Sequence, residues 1–137
     1  MEVVINTDGA SRGNPGPSSY GYIIKSVSGV MLHQESKKIG LATNNIAEYT
    51  AVLFSLKYLK DHYVHKAPHQ VQVLSDSKLI TEQLKGNFKI KNLKLKEIYQ
   101  KIKILEFELG MVFYKHVPRS KNFLADRLAN KALDERI

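Results

Sequence analysis

Four acidic residues lie in four short polar motifs that are spread along the chain. The motifs are Thr7-Asp8-Gly9, Thr43-Asn44-Asn45 with Glu48 three residues on, Ser75-Asp76-Ser77 and Ala125-Asp126-Arg127. Each acid falls at the end of a predicted strand or near the predicted start of a helix, so one fold could bring all four to one end of a sheet. Carboxylate oxygens are ligands that Mg²⁺ prefers, and such a cluster could hold two ions. The pattern is typical of a metal-dependent nuclease.

Two of these acids also have a simpler explanation at the start of a helix. Glu48 stands three residues after Asn45, the spacing at which a glutamate bonds back to the amide of the residue that begins a helix. Asp76 follows a predicted strand and precedes a predicted helix, where a carboxylate commonly caps free backbone amides. For Glu48 alone we favour capping, and for Asp76 alone both interpretations stay open.

The other two acids differ in how costly their positions are. Asp126 falls in the first turn of the last predicted helix, where any acid gains from the helix dipole, and roughly opposite a stripe of Leu124 and Leu128. Taken alone it is interpreted as a surface residue. Asp8 follows a buried apolar strand, where a charge is costly unless it is paired or bound to metal. A functional role is therefore favoured for Asp8.

Composition favours one compact domain, predicted over residues 1–137, and its charge is compatible with a polyanionic partner, although many basic domains bind nothing acidic. The chain is 43% hydrophobic, which suffices for a modest core. It contains no cysteine, which excludes disulfide scaffolds, thiolate catalysis and cysteine-rich zinc sites. Lysine and arginine number 21 against 13 acids, a formal net charge of +8, so a nucleic acid is a candidate partner.

Nothing in the sequence predicts a membrane or an export signal. No run reaches the roughly 18 apolar residues of a membrane span, and the chain leads straight into a strand. We therefore expect a cytoplasmic protein, and we separately expect a monomer.

The spacing of apolar residues predicts the element order βββαβααβα. The predicted strands are 3–7, 20–27, 30–39, 71–74 and 111–114, and the first three form an antiparallel meander. Helical spacing begins at residue 46, breaks over 60–70, and recurs over 79–84, 95–105 and 124–132. Residues 9–17 hold three glycines and two prolines, which predicts an irregular loop.

Together with their neighbours, the four acidic motifs resemble the ribonuclease H type 1 family. The resemblance rests on Thr7-Asp8-Gly9 with Gly13-Asn14-Pro15-Gly16-Pro17 and Tyr20-Gly21, on Thr43-Asn44-Asn45-Ile46-Ala47-Glu48, on Ser75-Asp76-Ser77, and on Asn122-Phe123-Leu124-Ala125-Asp126-Arg127-Leu128-Ala129-Asn130. These elements span nearly the whole chain in the family's order. The resemblance implies a three-layer α/β fold, in which helices flank a five-stranded mixed sheet of three antiparallel and then parallel strands.

The resemblance also implies an activity and a metal. The family hydrolyses the RNA strand of RNA/DNA hybrids at internal phosphodiesters and leaves 5′-phosphate and 3′-hydroxyl ends. Two Mg²⁺ ions are implied, with Mn²⁺ as an alternative. By analogy Asp8 bridges both ions, Glu48 and Asp76 complete the first site, and Asp126 helps to hold the second.

A second set of residues is implied for recognition of the hybrid through the 2′-hydroxyls in its wide minor groove. Asn14, Asn44 and Asn45 are expected to contact the backbone and groove, and Thr43 is a candidate for a DNA-strand phosphate. Lys78, beside the third acid, is a further candidate. The glycines Gly9, Gly13 and Gly16 are expected to let the main chain approach nucleic acid closely. Ordinary loop and capping roles remain the alternative for this set.

The sequence departs from many bacterial relatives at two places. Residues 86–93 stand where those relatives insert a tryptophan-rich helix and basic loop, so this grip on the hybrid is expected to be missing. Lysines 85, 89, 91, 94 and 96 could partly replace it as a phosphate-binding edge, or could form a solvated face. The segment His116-Val117-Pro118-Arg119 resembles the compact, archaeal-like branch of the family. There Arg119, ranked slightly above His116, is expected to take the auxiliary catalytic role of a mobile histidine.

Three other interpretations stay open at this point. A non-catalytic nucleic-acid-binding module would have lost its acids, and none is lost here. An integrase or resolvase of the same superfamily would lack the Asn-Pro-Gly and Asn-Asn elements. A domain cut from a reverse transcriptase would change the context and not the chemistry. Double-stranded RNA remains a second candidate substrate.

Overall fold

A computed structural model of the chain describes residues 1–135, and it has the predicted element order. The strands are β1 (Glu2–Ser11), β2 (Gly16–Ser26), β3 (Met31–Ala42), β4 (His69–Ser75) and β5 (Gly110–His116). The helices are α1 (Asn44–Tyr63), α2 (Lys78–Leu84), α3 (Leu93–Leu109) and α4 (Phe123–Asp134), with short 3₁₀ turns at Val64–Lys66 and Arg119–Lys121. None of the helices among residues 1–135 is long and apolar enough to cross a membrane.

The five strands form one mixed sheet in the order β3-β2-β1-β4-β5. β2 pairs antiparallel with β1 and β3, whereas β4 pairs parallel with β1 and β5. This confirms the predicted sheet of three antiparallel and then parallel strands. The parallel arrangement places the carboxyl ends of β1 and β4 at the same edge of the sheet, which is where Asp8 and Asp76 occur.

Helices cover both faces of the sheet. On one face Tyr20, Tyr22 and Ile24 of β2 are buried in the core cluster that includes residues of α1 and α3. On the other face α4 lies against β2, because Gly21 approaches the backbone of Ala125 and Ala129 closely. A β-carbon on Gly21 would stand 2.7 Å from the Ala129 nitrogen. The flanking layers are therefore those that the fold prediction required.

The predicted irregular loop at 9–17 is wrong at both of its ends. β1 continues through Gly9 to Ser11, and β2 already begins at Gly16. Gly9 pairs with Tyr20 and Ser11 with Ser18 across the two strands. Pro17 fits into β2 because its carbonyl, which proline keeps, accepts from the amide of Arg12 at 2.8 Å. The irregular segment is consequently only four residues long, 12–15.

The predicted apolar stripe of the last helix, Leu124, Leu128 and Ala132, is correct only in part, since Ala132 is buried and Leu128 half-buried. Leu124 is 38% exposed, and the buried residues of α4 are Ala125, Ala129 and Ala132. Alanines let the α4 backbone approach Gly21, and the β-carbon of the half-buried Leu128 also lies at this contact, 2.8 Å from where a β-carbon on Gly21 would stand. Because alanines face the sheet, the whole of α4, including Asp126, can lie close to it.

Candidate active site

The four acids of the sequence motifs meet at one end of the sheet. Asp8 lies on β1, Glu48 in the second turn of α1, Asp76 directly after β4, and Asp126 in the first turn of α4. They line one cavity of about 320 Å³. Its other lining residues are Gly9, Asn44, Ser77 and Arg119.

Three of the acids are close enough to share a cation. Carboxylate oxygens of Asp8, Glu48 and Asp76 all lie within 4.8 Å of one another. Asp8 and Glu48 are each only 4% exposed. Asp126 stands beside this group, and its carboxyl interacts with that of Asp8. Several carboxylate oxygens this close together form a set of hard ligands that suits Mg²⁺ or Mn²⁺.

Glu48 has a buried oxygen that nothing satisfies among residues 1–135. Its Oε2 has no hydrogen-bond partner there. The helix is capped instead by Thr43, whose hydroxyl accepts from the amide of Ile46 at 3.2 Å. The interpretation of Glu48 as half of a capping box with Asn45 is therefore wrong. An orphaned buried carboxylate oxygen is costly, and a bound cation would satisfy it.

Burial raises the pKa of both carboxyls at the centre of the cavity. Desolvation is the largest cause for Asp8, and with the nearby Asp76 and Asp126 it raises the pKa to about 7, against an opposing hydrogen-bond contribution from Glu48. Burial and the proximity of Asp8 likewise raise the pKa of Glu48 well above its usual value. A divalent cation at this place would favour the ionised forms and reverse these shifts.

Asp76 is not a helix cap. The cap of α2 is Ser77, whose hydroxyl accepts from the amide of Ile80 at 3.3 Å. The Asp76 carboxyl is left to face the cavity, and burial raises its pKa even though the Arg119 charge acts in the opposite direction. The capping interpretation of Asp76 is accordingly wrong as well.

The two candidates for the auxiliary role sit differently. Arg119 lines the cavity, and its Nη2 lies 3.6 Å from Oδ1 of Asp126 although the side chain is 79% exposed. His116 ends β5 on the surface, and its Nε2 lies 3.2 Å from the backbone carbonyl of Asp76. Arg119 thus adjoins a carboxylate of the site, whereas His116 contacts its backbone.

The polar loops of the sequence motifs gather at the cavity rim. The side-chain oxygen of Asn14 accepts from the amide of Asn44 at 3.0 Å, which joins the 12–15 loop to the start of α1. Asn45 is half-buried, and its side chain makes no hydrogen bond among the described residues. Lys78 is exposed at the first position of α2.

Two of the motif glycines are needed for contacts within the chain itself. A β-carbon on Gly9 would lie 2.4 Å from the Glu48 nitrogen, and one on Gly16 would lie 2.2 Å from the carbonyl oxygen of Arg12. Gly9 therefore lets β1 approach the turn of α1 that carries Glu48. This reason is distinct from the expected approach to nucleic acid, which stays a prediction.

One residue of the fourth motif makes contacts that sequence reasoning did not anticipate. Asn122 is 1% exposed, and its side-chain amide donates to the carbonyl of Thr7 at 2.9 Å. An asparagine just before a helix predicts a cap, so no sequence signal indicated a contact with β1.

Comparison with known proteins places this geometry in a family. The model of the reverse transcriptase-like family matches residues 6–132. The N-terminal RNase H domain of a Mycobacterium tuberculosis protein, solved as a fusion with maltose-binding protein, is 39% identical with a TM-score of 0.90, and the match covers 98% of this chain and 100% of that one. This chain belongs to the ribonuclease H family.

Two further ribonuclease H structures are as similar. LC11-RNase H1, solved in complex with an RNA/DNA hybrid and isolated from compost by a metagenomic approach, is 40% identical with a TM-score of 0.92 over 96% of each chain. RNase H1 of Halobacterium salinarum is 34% identical with a TM-score of 0.91 over 99% of this chain and 100% of that one. The chain spans 36% of the length of the curated mycobacterial relatives that it matches, one of which is a bifunctional protein of M. tuberculosis.

Proposed function

We propose that this ribonuclease H hydrolyses the RNA strand of RNA/DNA hybrids at internal phosphodiesters, leaving 5′-phosphate and 3′-hydroxyl ends. The observation that carries the proposal is the group of three carboxylates within 4.8 Å of one another, in a fold shared with an RNase H1 solved on an RNA/DNA hybrid. A module that only binds nucleic acid would have no use for three clustered carboxylates, two of them buried.

The proposed cofactor is a pair of Mg²⁺ ions, with Mn²⁺ as the alternative. The orphaned Oε2 of Glu48 and the crowding of Asp8 with Asp76 support a bound cation at the centre of the site. We assign Asp8 to both ions, Glu48 and Asp76 to the first, and Asp126 to the second. When bound, such ions supply activation of a water nucleophile and stabilise the charge on the leaving 3′ oxygen.

The chain's own groups prepare the site for a phosphodiester. The carboxylates of Asp8 and Glu48 are held rigidly, because β1 and α1 touch at Gly9 and both side chains are buried. Arg119 brings a positive charge to the otherwise acidic rim, where it can contact a phosphate oxygen. His116 is proposed as the weaker candidate for the same auxiliary role.

The rim of the cavity is proposed to read the hybrid. Asn14, Asn44 and Asn45 are assigned to 2′-hydroxyls and neighbouring backbone, with Gly9, Gly13 and Gly16 providing close approach. The hydroxyl of Thr43 accepts from the Ile46 amide and keeps its proton, so it can donate to a DNA-strand phosphate. Lys78 is exposed beside Asp76 and is assigned to a phosphate.

The lysines from the end of α2 to the first turn of α3 are proposed to bind the hybrid outside the catalytic cavity. Lys85, Lys89, Lys91, Lys94 and Lys96 are all exposed. Lys89 and Lys96 border a surface pocket of about 510 Å³ together with Phe88 and Tyr99. Only Lys85 in this set has an ion-pair partner among the described residues, Glu82 at 3.8 Å. The other four are therefore free to contact phosphates.

Four broader assignments belong to the same proposal. We infer a monomer, a cytoplasmic location, and one ribonuclease-H-like domain over residues 1–137, of which positions 136 and 137 lie outside the described residues. Double-stranded RNA is retained as a second candidate substrate.

One assay tests the proposed function. The purified protein is incubated with labelled hybrid, double-stranded RNA, double-stranded DNA and single strands, with and without Mg²⁺. Cleavage of the RNA strand of the hybrid only when metal is present is the expected result. An intact hybrid under all metal conditions would contradict the proposal, and cleavage of double-stranded DNA would indicate a different nuclease of the superfamily.

A further inference from the structure

Asn122 is a buried asparagine that joins the first strand to the last helix. Its side-chain nitrogen donates to the Thr7 carbonyl at 2.9 Å, and its side-chain oxygen accepts from Nδ2 of Asn6 at 3.0 Å. The residue is 1% exposed, and its hydrogen bond to Thr7 is buried, whereas the one from Asn6 is partly buried. Both of its partners belong to β1, immediately before Asp8.

The same residue begins the helix that carries Asp126. The backbone carbonyl of Asn122 accepts from the amide of Asp126 at 3.2 Å, which closes the first turn of α4. Asn122 thus contacts the residue before Asp8 with its side chain and Asp126 with its backbone. Asn122 therefore links Asp8 to Asp126 through a few covalent and hydrogen bonds, although the two acids are 118 positions apart in the sequence.

The Asn122 side chain bonds to β1 and does not make the hydrogen bond by which a residue at this position usually caps its own helix. The caps of α1, α2 and α3 are Thr43, Ser77 and Asn92, and each accepts a hydrogen bond from an amide of its own helix. Asn122 makes no such bond, and its backbone adopts φ −127° and ψ 17° in place of the extended conformation of the other three caps. A helix without a side-chain cap at its start is less stable than a capped one. The contact with β1 is the feature that replaces it.

We propose that Asn122, supported by Asn6, is a positioning residue that fixes Asp126 relative to Asp8. The inference rests on the proposed function, because the positions of these carboxylates matter through the metal site and the phosphodiester. A carboxylate on the first turn of a helix moves with that turn, and the turn is tied to β1 by the Asn122 amide. Neither residue touches the reacting atoms.

The chain offers a matched control for this inference. Ser19 is a buried residue of β2 whose hydroxyl donates to the backbone carbonyl of Ala129, in the middle of α4. Ser19→Ala therefore removes one sheet-to-α4 hydrogen bond without touching the start of the helix. Asn122→Ala removes the tie at the start, and Asn6→Ala removes only the half-buried partner, which keeps the test available if the first variant folds poorly.

The decisive measurement is the response of the carboxyl carbons to Mg²⁺, followed by ¹³C nuclear magnetic resonance in the absence of substrate. In the wild type and in Ser19→Ala, the Asp126 resonance should shift as Mg²⁺ is added. In Asn122→Ala the same shift should require about 10- to 100-fold more Mg²⁺, and in Asn6→Ala an intermediate amount. The Asp8 resonance should respond in all four proteins.

Hybrid cleavage supplies the second readout. Asn122→Ala should lower kcat by about 10- to 100-fold while KM changes by less than about threefold, because the hybrid-binding rim is untouched. Ser19→Ala, compared at an equal decrease in Tm, should keep kcat. Equal decreases in kcat for Asn122→Ala and Ser19→Ala, or an Asp126 resonance that ignores Mg²⁺ in the wild type, would overturn the inference. A wild type that cuts no hybrid while its Asp126 resonance still depends on Asn122 would remove the proposed function and retain the positioning role.

Discussion

Asp8 and Glu48 are ionisable groups held where water barely reaches them. Desolvation raises the pKa of each, the charge of Asp76 raises both further, and the charge of Asp8 also raises the pKa of Glu48. A folded protein retains such an arrangement at a cost to its stability, because an unfolded chain would hydrate the same charges. This loss of stability serves the function if a bound cation neutralises the repulsion during catalysis. The residues of the site are thus selected for binding charge and not for stabilising the fold.

The first prediction concerns Asp8→Asn and Asp76→Asn, each of which should abolish cleavage while the protein stays folded. An amide keeps the shape of the side chain and loses the charge that holds a cation. The check is turnover of labelled hybrid in saturating Mg²⁺. Asp61→Asn, which changes an exposed acid paired with Lys57 at 3.8 Å, is the control and should keep wild-type turnover. Near wild-type turnover in the Asp8 variant would refute the metal assignment.

The Asp8 variant should also change how stability depends on pH in metal-free protein. The pKa of Asp8 is about 7 when folded against 3.8 as the usual value, so the folded state binds the proton more tightly than the unfolded state. The ionised group therefore destabilises the fold increasingly as pH rises from about 4 to 7, and constantly above that. In the presence of a chelator, Asp8→Asn should raise Tm at pH 8 and have little effect at pH 4. A lower Tm at pH 8 would contradict this account.

The second prediction separates Arg119 from His116. Because Arg119 lines the cavity beside Asp126, Arg119→Ala should lower kcat by about tenfold or more, whereas His116→Ala should have a smaller effect. The exposed ion pair contributes less than about 1 kcal/mol to folding, so Tm should hardly move. Arg127→Ala, an exposed neighbour of Asp126, is the control for removal of positive charge. The reverse order of effects would assign the auxiliary role to His116.

At the scale of elements, α4 illustrates what sequence periodicity cannot decide. Leucines at helical spacing predicted its buried face, but the fully buried positions are alanines and Leu128 is only half-buried, because Gly21 brings the backbones of β2 and α4 together. The information that selects small residues lies in β2, more than a hundred positions away. The apolar periodicity of α4 alone cannot reveal this contact with β2. The helix itself was therefore predicted correctly, but the position of its buried face was not.

The elements that were predicted correctly are those whose signal is local. The order of strands and helices followed from apolar spacing, and the four acids were located by the motifs around them. The caps were missed because Thr43 and Ser77 offer the same hydrogen-bonding chemistry as their neighbours Asn45 and Asp76. Which of two adjacent polar residues caps a helix depends on where the backbone turns. Because Thr43 and Ser77 cap the helices, the carboxylates of Glu48 and Asp76 face the cavity.

The third prediction concerns the segment from the end of α2 to the first turn of α3. Replacing Lys89, Lys91 and Lys94 with alanine should weaken hybrid binding and reduce the salt dependence of log Kd by about 0.9 for each phosphate that is no longer neutralised. KM should rise, with kcat little changed at saturating substrate. Lys57→Ala, Lys66→Ala and Lys101→Ala together remove the same charge from exposed positions on α1, α3 and the turn after α1. If both triple variants change the slope equally, the segment is a solvated face and only net charge matters.

For the whole molecule, the distribution of charge separates binding from chemistry. The chain carries a formal net charge of +8, yet the cavity at the end of the sheet gathers four acids and one arginine. A polyanion is attracted to the basic surface and repelled by the acids of the cavity. Under the proposed function, metal would be needed at the cavity and not for attraction to the protein as a whole. We therefore expect hybrid binding without metal and cleavage only with metal.

The last prediction concerns how the molecule distinguishes RNA from DNA in one duplex. We assign this to 2′-hydroxyls contacted by Asn14, Asn44 and Asn45, so a hybrid whose RNA strand carries a short deoxy block should not be cut within or beside the block. Asn45→Ala should cost about 1–3 kcal/mol in kcat/KM, the scale of a hydrogen bond removed from a buried interface. Thr43 caps α1 and the Asn45 side chain makes no hydrogen bond among residues 1–135, so Tm should not change. Thr43→Ala is the contrasting variant, since it should lower Tm by removing the cap. Equal cutting at deoxy and ribo positions would remove the hybrid-specific interpretation, and a fall in Tm for Asn45→Ala would return that residue to a structural role.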